Sequence, residues 1–322
     1  IPQEVYIVEF NNPQNHLKFN KVEKGHKLKI SREIGDSGYN LYVTIDTNGK
    51  DLSNLKTIIF SWSEWSKRIF NFYYTTKDEN VEIIDDLKKK LDQYRPLSPA
   101  IVKNLQEDLI VRWTYHSNAI EGNTLTLLET KVVLEGITVG GKALREHFEA
   151  INHRNAIYYV EDIIRKEEPF SEWQIRNIHQ LILKNIDDEN AGRYRQQNVL
   201  ISGATTTPPD YTLLNDKMAQ LIDWYNLEAY KLHPIERAAK VHADFVGIHP
   251  FIDGNGRTSR LLMNLELLKA GYPPCVITVE NRLAYYEALD QWMASGKTEA
   301  FIRLVSEAVQ DGFKPYQVVL GI

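Results

Sequence analysis

Apolar and polar positions follow a strand-like pattern along the first part of the chain and a helix-like pattern along the rest. Up to about residue 85, runs rich in β-branched and aromatic residues recur, and some alternate apolar with polar positions: EVYIVEF, YNLYVTIDT, LKTIIFSW and RIFNFYYT. The DTNG sequence at the end of the second run is typical of a tight hairpin turn. These features predict a β-rich region over residues 1–85.

Beyond that point the apolar spacing becomes three and four residues, as on one face of a helix. Ser98 followed by Pro99 is typical of a helix start. Thr126 with Glu129 three residues later forms a capping-box pattern that begins another helix. The runs SEWQIRNIHQLILKNI and DKMAQLIDWYNLEAY predict further amphipathic helices. In the helix that starts at Ser98, the pattern predicts one buried stripe made of Val102, Leu105, Leu109 and Trp113.

The run RYRQQNVLISGATTTPPDY interrupts the helical pattern. It combines a β-type stretch with a glycine, three threonines and two prolines, which predicts a short β-hairpin or flap. The whole pattern therefore predicts a mainly α fold with a short β-hairpin flap, preceded by the β-rich region. We divide the chain into residues 1–85, a helical segment 86–125 and a helical domain 126–322.

Composition narrows the classes of protein that fit this pattern. The formal net charge of −5 provides no overall basic field for nucleic acid. A single cysteine, Cys275, excludes an internal disulfide framework and favours a reducing compartment. No apolar run approaches the roughly 20 residues of a membrane helix, so we expect a cytoplasmic protein without a membrane partner. The first residue is Ile1 rather than Met, so we expect the natural start to lie upstream, with a cleaved signal peptide left open.

Candidate chemistry is concentrated in residues 249–260, HPFIDGNGRTSR. His249 extends the inward face of the preceding helix, and Pro250 stops that helix. The residues that follow predict a second helix, with Gly271 near its end. Gly254, Asn255 and Gly256 lie in the turn between the two helices, where successive N–H groups can form an anion-binding nest. The rest of the inward face is made of Ile235, Ala238, His242 and Phe245.

Arg257 and Arg260 lie three residues apart, and therefore next to each other on one helix face. Two guanidinium groups in the first turn of a helix repel each other and oppose the helix dipole, unless an anion lies between them. Phosphates suit both the forked arginine geometry and the nest. Asp253 is explained in this arrangement if it holds Mg²⁺ that is shared with a di- or triphosphate.

Two other common sites do not match this stretch. A P-loop would need glycine at Phe251 and lysine at Arg257, and a zinc protease motif would need H-E-x-x-H, which is absent. Each residue alone also has an ordinary structural explanation: His242 as a hydrogen-bonded core histidine, the glycines as turn residues, the arginines as partners of surface acids. The combination of His249, Asp253, the glycines and the arginines within the twelve positions 249–260 favours a functional site.

The stretch resembles the signature H-P-F-x-[DE]-G-N-G-R-x-x-R of the Fic family at every fixed position, and the resemblance extends over about residues 95–305. It implies an all-helical domain that transfers AMP from ATP to a hydroxyl of a target protein. By the same resemblance, Phe251 anchors the loop in the core and His249 is the general base. Asp253 is the Mg²⁺ ligand, and phosphates contact Gly254, Asn255, Gly256, Arg257 and Arg260.

Further segments of the chain resemble the family less specifically. VLISGATTTPP is similar to the flap that binds the target backbone by strand addition, and its nucleotide-side residues would be Ser202, Gly203, Ala204 and Thr205. Tyr285 and Tyr286 resemble a tyrosine pair on the adenine side, whereas Met293 stands where some relatives have a polar residue. A neighbouring branch of Doc-like kinases has lysine where this chain has Gly256, so the glycine favours nucleotide transfer over phosphate transfer.

The sequence SNAIEG suggests regulation. Ser117 and Glu121 lie four residues apart and share a helix face. Taken alone, Glu121 could be an exposed residue at a helix end. The segment also resembles the Fic inhibitory motif [ST]-x-x-x-E-[GN], which implies that Glu121 pairs with Arg260 where the γ-phosphate would bind.

The sequence therefore predicts an autoinhibited protein adenylyltransferase that modifies a Ser, Thr or Tyr hydroxyl. The expected partners are ATP, Mg²⁺ and a protein target bound at residues 199–207, with self-modification as a further outcome. The oligomeric state stays open, including a homo-oligomer. Two alternatives remain: removal of AMP at the same site with Glu121 positioning water, and a nucleotide-sensing module that binds ATP without turnover.

Overall fold

The computed structural model describes residues 6–10, 17–19, 27–35, 38–46, 55–63, 69–76 and 79–321. The chain divides into two compact units, Ile1–Glu82 and Ile83–Ile322. Of the turn predicted at residues 46–49, all but Asp46 lies outside the described residues. The strands of the first unit are Tyr6–Phe10 (β1), Leu17–Phe19 (β2), Lys27–Gly35 (β3), Gly38–Asp46 (β4), Leu55–Ser63 (β5) and Ile69–Thr76 (β6).

The strands pair antiparallel in two sheets. One sheet has the order β2-β1-β6-β5, and the other is the pair β3-β4. In the larger sheet Val8 lies opposite both Phe19 and Phe70, while Phe60 lies opposite Phe72. In the pair, Ile30 lies opposite Val43. Aromatic and β-branched residues thus lie opposite one another in the register of both sheets.

Helices dominate the rest of the chain, which confirms the mainly helical fold. Their bounds are Glu79–Asp92 (α1), Pro99–Ile120 (α2), Leu127–Leu134 (α3), Leu144–Arg165 (α4), Glu172–Leu183 (α5), Leu214–Leu227 (α6), Pro234–Ile248 (α7), Asn255–Lys269 (α8), Arg282–Ser295 (α9), Glu299–Gly312 (α10) and Lys314–Leu320 (α11). Among the described residues, no helix is both long and apolar enough to cross a bilayer.

The predicted helix starts are confirmed. The Ser98 hydroxyl accepts a hydrogen bond from the N–H of Ile101 at 3.4 Å, and a proline occupies the first turn of α2. At α3 the Thr126 hydroxyl and the Glu129 carboxylate each accept a bond from the other residue's N–H, at 3.2 and 2.7 Å. These bonds satisfy N–H groups that have no partner inside the helix, which is why the helices start at these residues.

The core surrounds α8, which packs against α2, α4, α5 and α7. The inward face predicted for α7 is confirmed, since Ile235, Ala238, His242 and Phe245 are all fully buried. The α8 helix is buried almost throughout, and its buried positions include polar and charged side chains at Asn255, Arg257, Thr258, Ser259, Arg260, Asn264 and Glu266. A buried helix with this composition needs polar partners from its neighbours, and the candidate site lies where they meet.

Two local predictions differ from the structure. Of the stripe predicted for α2, Leu105 and Trp113 are buried, Leu109 is only partly buried and Val102 in the first turn is 46% exposed. Periodicity indicates which face of a helix is buried, but not how far the neighbouring helices extend along it. In addition, residues 196–210 contain turns and no strand, so the strand pairing of a hairpin is absent there. Pro208 and Pro209 in this segment have no N–H to donate to a strand ladder.

Candidate active site

The candidate site is built on the signature loop, residues 249–254, which joins α7 to α8, and on the first turn of α8, where Asn255 and Gly256 lie. His249 ends α7 in the left-handed conformation, with φ 50° and ψ 57°, and its N–H donates to the carbonyl of Phe245 at 3.0 Å. Its Nδ1 lies 3.3 Å from the carbonyl of Val246. A carbonyl only accepts, so Nδ1 carries the proton and Nε2 keeps its lone pair. Burial lowers the pKa of His249, which favours this neutral form.

Phe251 and Asn255 hold the loop closed. The fully buried Phe251 ring stacks on His179, with ring centroids 3.5 Å apart. Asn255 Oδ1 accepts from the Phe251 N–H at 3.0 Å, and Asn255 Nδ2 donates to the Phe251 carbonyl at 2.8 Å. The Asn255 side chain is therefore engaged within the loop itself. If Asn255 contacts a phosphate, it does so through its backbone N–H at the α8 N-terminus.

His179, on α5, is a site residue that the sequence interpretation missed. Its Nδ1 accepts from the Gly192 N–H at 2.9 Å, so its Nε2 donates to the Asp253 carbonyl at 2.8 Å. Burial lowers the pKa of His179 to about 4, so the ring is neutral at pH 7. Gly254 has φ +80°, and a Cβ there would lie 3.1 Å from His179 Nε2. Both the backbone conformation and the close ring require glycine at this position.

The Asp253 carboxylate lies among cationic and N–H groups. It accepts from the Gly254 N–H at 2.6 Å, from Arg145 Nη2 at 2.8 Å and from Arg257 Nη2 at 3.2 Å. Burial alone would raise the pKa of Asp253, but Arg257, the Gly254 N–H and Arg145 outweigh it and hold this pKa below its ordinary value. Asp253 is therefore ionised, and its side chain is 44% exposed.

Arg257 is buried and only partly paired. Besides Asp253, its partner is Glu149 on α4, whose Oε1 lies 3.4 Å from Arg257 Nη1. Nε and Nη1 of Arg257 have no hydrogen-bond partner among the described residues. Arg145 and Glu149, neither of which the sequence patterns indicated, are themselves linked at 3.2 Å. Arg257 thus retains unused donors at the start of α8.

Arg260, in contrast, has partners for all three guanidinium nitrogens. Nε donates to the Ser117 hydroxyl at 3.0 Å, and Nη2 donates to the Ser117 carbonyl at 2.8 Å and to Glu121 Oε1 at 2.7 Å. Nη1 donates to the Tyr285 hydroxyl at 3.3 Å. Burial would lower the pKa of Arg260, but Tyr285 and Glu121 outweigh it and raise that pKa.

The Glu121 carboxylate lies directly against the first turn of α8. A Cβ built on Gly256 would come within 2.3 Å of Glu121 Oε1 and within 3.2 Å of Arg260 Nη1. Glycine at this position therefore provides the room that the carboxylate occupies. The N-terminal end of a helix favours an anion, and at α8 the chain's own Glu121 carboxylate lies there.

Comparison with known proteins identifies the family. The Fic/DOC family model matches residues 169–267. A Fic domain containing signaling protein from Bacteroides thetaiotaomicron superposes with a TM-score of 0.69 at 30% identity, over 76% of this chain and 97% of that chain. The chain belongs to the Fic/DOC family.

Other Fic proteins support the same assignment. Fic-1, residues 134–508, from Caenorhabditis elegans superposes with a TM-score of 0.69 at 32% identity, over 76% of this chain and 72% of that chain. Protein adenylyltransferase Fic of Nematostella vectensis is 38% identical over 74% of this chain and 57% of its own length. The chain spans about half the length of the curated relatives it matches.

The tyrosine pair of this Fic-family chain is divided between the core and the surface. Tyr285 is 1% exposed, and its hydroxyl lies 3.0 Å from His242 Nε2 as well as close to Arg260. Tyr286 is half-exposed and donates to the Ile120 carbonyl at 3.2 Å, next to Glu121. Only Tyr286 therefore presents a ring surface to a ligand.

The flap segment, residues 196–210, is largely exposed. Ser202 and Gly203 are exposed, and the Ala204 N–H donates to the Ile201 carbonyl in a turn at 3.1 Å. Thr205 is the anchored residue, since its N–H and its hydroxyl donate to Asp290 on α9 at 2.7 and 2.8 Å. No short motif indicated Asp290, because it lies 85 residues from its partner.

Proposed function

We propose that this chain is a protein adenylyltransferase that transfers AMP from ATP to a Ser, Thr or Tyr hydroxyl of a target protein, and that Glu121 inhibits it at rest. The observation that carries this proposal is the anion site at the start of α8, where Arg260, Gly256 and the helix N-terminus surround the Glu121 carboxylate. A phosphate group has the charge and the hydrogen-bond acceptors that this site suits.

His249 is the proposed general base. A neutral imidazole with a free Nε2 can accept the proton of an attacking hydroxyl, and its lowered pKa keeps it neutral at pH 7. The hydroxyl oxygen then forms a bond to the α-phosphorus of ATP while the bond to pyrophosphate breaks. The guanidinium of Arg257 and the N–H groups at the start of α8 would stabilise the negative charge that develops on the phosphates.

Asp253 is the proposed ligand of Mg²⁺. Its carboxylate is ionised and accessible, and Mg²⁺ commonly binds through one or two carboxylates together with substrate phosphates. Among the described residues no three metal-ligating side chains gather at one point, so the phosphates would have to complete the coordination. When bound there, the ion would neutralise phosphate charge. Arg145 holds Asp253 Oδ2 at 2.8 Å, so Mg²⁺ would bind this carboxylate beside Arg145 or in its place.

Inhibition is proposed to act through Arg260. In the resting chain Glu121 and Ser117 occupy its guanidinium, so a γ-phosphate has no free donor at that position. ATP that binds without this contact would place its α-phosphate poorly for in-line attack. A misplacement of about 1 Å can cost about 10²-fold in rate, so the inhibited chain should be slow even when it binds ATP.

The target is proposed to bind along residues 199–207 of the flap segment. Leu200 is 82% exposed. Apart from the N–H groups of Ala204 and Thr205 and the carbonyl of Ile201, which are already paired, the peptide groups of this segment can bond an extended backbone. The absence of strand pairing within the segment leaves those groups available for an added chain. Self-modification would use the same surface.

The proposal is tested by incubating the Glu121→Gly variant with ATP labelled on the α-phosphate. Transfer of label to protein, lost in the Glu121→Gly/His249→Ala double variant, supports the adenylyltransferase. Binding of ATP by both variants without any labelled protein would instead identify a nucleotide-sensing module. A chain that releases AMP from a pre-labelled protein, and does so only while Glu121 is present, would favour AMP removal with Glu121 positioning water.

A further inference from the structure

Arg195 has no role in the family signature, yet it contacts both halves of the proposed site. It lies immediately before the flap segment and is 3% exposed. Its Nε donates to the His249 carbonyl at 2.9 Å, and its backbone N–H donates to the Pro250 carbonyl at 2.9 Å. Its Nη1 and Nη2 donate to the carbonyls of Gln197 and Pro209, at 2.8 and 2.6 Å.

These bonds connect three stretches of backbone at one guanidinium. Gln197 and Pro209 lie near the two ends of the flap segment, so Arg195 closes its base. His249 and Pro250 begin the signature loop. The three guanidinium nitrogens each meet a different carbonyl, whereas the three donors of a lysine ammonium leave a single nitrogen and cannot reach all three positions.

The hydrogen bond from Arg195 to the His249 carbonyl also holds a residue whose backbone is strained. His249 is a non-glycine residue in the left-handed conformation, which is unfavourable for a side chain with a Cβ and persists only where its surroundings hold it. Arg195 bonds the carbonyl of His249 and the carbonyl of the next residue. One guanidinium therefore bonds both the backbone that carries the imidazole and the base of the flap segment.

We infer that Arg195 is a positioning residue that sets the distance between the flap segment and His249. A target chain bound along the flap segment would then place the hydroxyl of its Ser, Thr or Tyr side chain at the imidazole. This inference rests on the proposed function for its consequence in catalysis. Its structural part, the link between the flap segment and His249, can be tested whether or not the chain transfers AMP.

The link is tested with the Arg195→Lys variant, and Arg193→Lys is the matched control because Arg193 is exposed and two residues away. Limited proteolysis within residues 198–207 should accelerate about tenfold or more in Arg195→Lys, since hydrogen bonds from a charged group are lost. The His249 ring resonances, assigned by comparison with His249→Ala, should shift in the same variant. Neither readout should change in Arg193→Lys, and unfolding curves should show that both variants remain folded.

A second comparison separates the link from simple loosening of the flap. Asn198 Nδ2 donates to Asp210 at 2.8 Å within the flap segment. Asn198→Ala should therefore increase proteolysis but leave the His249 resonances unchanged. Arg195→Gln, which lacks the cation, should also raise the pKa of His249 followed by NMR, because the Arg195 charge contributes to lowering it after burial. Unchanged His249 resonances in both Arg195 variants would overturn the inference.

Activity provides the last readout, in the Glu121→Gly background. Adding Arg195→Lys should lower the rate of AMP transfer about 10- to 10²-fold, by misplacement of the hydroxyl, with little change in the KM for ATP. An equal rate would contradict the positioning role. If Glu121→Gly itself transfers no AMP, the proposed function fails, while the NMR and proteolysis results still decide whether Arg195 links the flap to His249.

Discussion

Arg257 and Arg260 lie one turn apart on α8, but their surroundings differ. All three nitrogens of Arg260 donate to partners on α2 and α9, and the charge is balanced by Glu121 from 139 residues away. Arg257 shares Asp253 with Arg145 and retains two nitrogens without hydrogen-bond partners among the described residues. A buried charge is costly unless it is paired, so the chain supplies a counter-ion where a phosphate is proposed to bind.

This difference divides the site into two sides with opposite expected effects on rate. Substitutions on the loop side, at His249 and Asp253, should lower the rate of AMP transfer. Changes at the end of α2, residues 117–123, should remove inhibition. The predictions below compare the two sides, beginning with the largest expected effect.

The largest effect is expected on the loop side. In the Glu121→Gly background, His249→Ala should lower AMP transfer by about 10²–10⁴-fold, the range typical for loss of a general base. ATP binding measured by calorimetry should be retained, because the described bonds of the His249 ring involve only the Val246 carbonyl. If the variant transfers AMP at a rate within a few fold of the Glu121→Gly parent, His249 is not the general base.

The next effect has the opposite sign. Glu121→Gly should raise the rate of self-modification by about 10²-fold, since the γ-phosphate gains the Arg260 donors. Glu121→Gln keeps the size of the side chain and removes its charge, so it should be activated less than Glu121→Gly. Most of the gain should be lost when Arg260→Ala is added, and a double-mutant cycle measures this coupling. Equal activation with and without Arg260 would show that the pair is not the inhibitory contact.

A third experiment addresses the metal proposed for the loop side. Asp253→Asn keeps the shape of the side chain and removes its charge. Loss of residues that merely support metal ligands costs about 10- to 100-fold in affinity, so loss of the ligand itself should weaken Mg²⁺ binding at least as much. Titration of Mg²⁺ into the chain with a non-hydrolysable ATP analogue measures this, with Glu189→Gln as a control. Identical titration curves for Asp253→Asn and the parent would count against the assignment.

A smaller gain is expected from loosening the end of α2 without changing its charge. Tyr286→Phe keeps the ring but removes the hydroxyl that donates to the Ile120 carbonyl. A neutral hydrogen bond contributes about 0.5–1.5 kcal/mol, so basal self-modification should rise about two- to tenfold. The same substitution in Glu121→Gly should have no further effect on the rate. A loss of activity in both backgrounds would instead indicate that the hydroxyl contacts substrate.

The smallest effect concerns pH. Burial lowers the pKa of His249 below its ordinary value of 6.5, so the base is mostly neutral at and above that pH. The transfer rate of Glu121→Gly should therefore change less than about twofold between pH 8 and pH 6.5 and fall only at lower pH. A rate that already declines through pH 7 would mean that His249 titrates higher than its burial implies.

Features that depend on nearby residues were determined by the sequence alone. The caps at Ser98 and Thr126, the buried face of α7 and the end of α8 before Gly271 were predicted correctly, because each depends on hydrogen bonds and spacings within one or two turns. The family resemblance of residues 249–260 likewise lies within a single loop.

The partners of those residues were decided only by the tertiary structure. The sequence did not show that the Asn255 side chain bonds Phe251, or that Tyr285 is buried with its hydroxyl next to Arg260. His179, Arg145 and Arg195 escaped notice because they meet the loop from 74, 108 and 54 residues away. Spacing along a helix determines which face a side chain shares. Which donor meets which acceptor depends on how several helices pack, because a hydrogen bond requires both groups within about 3 Å and in the right direction.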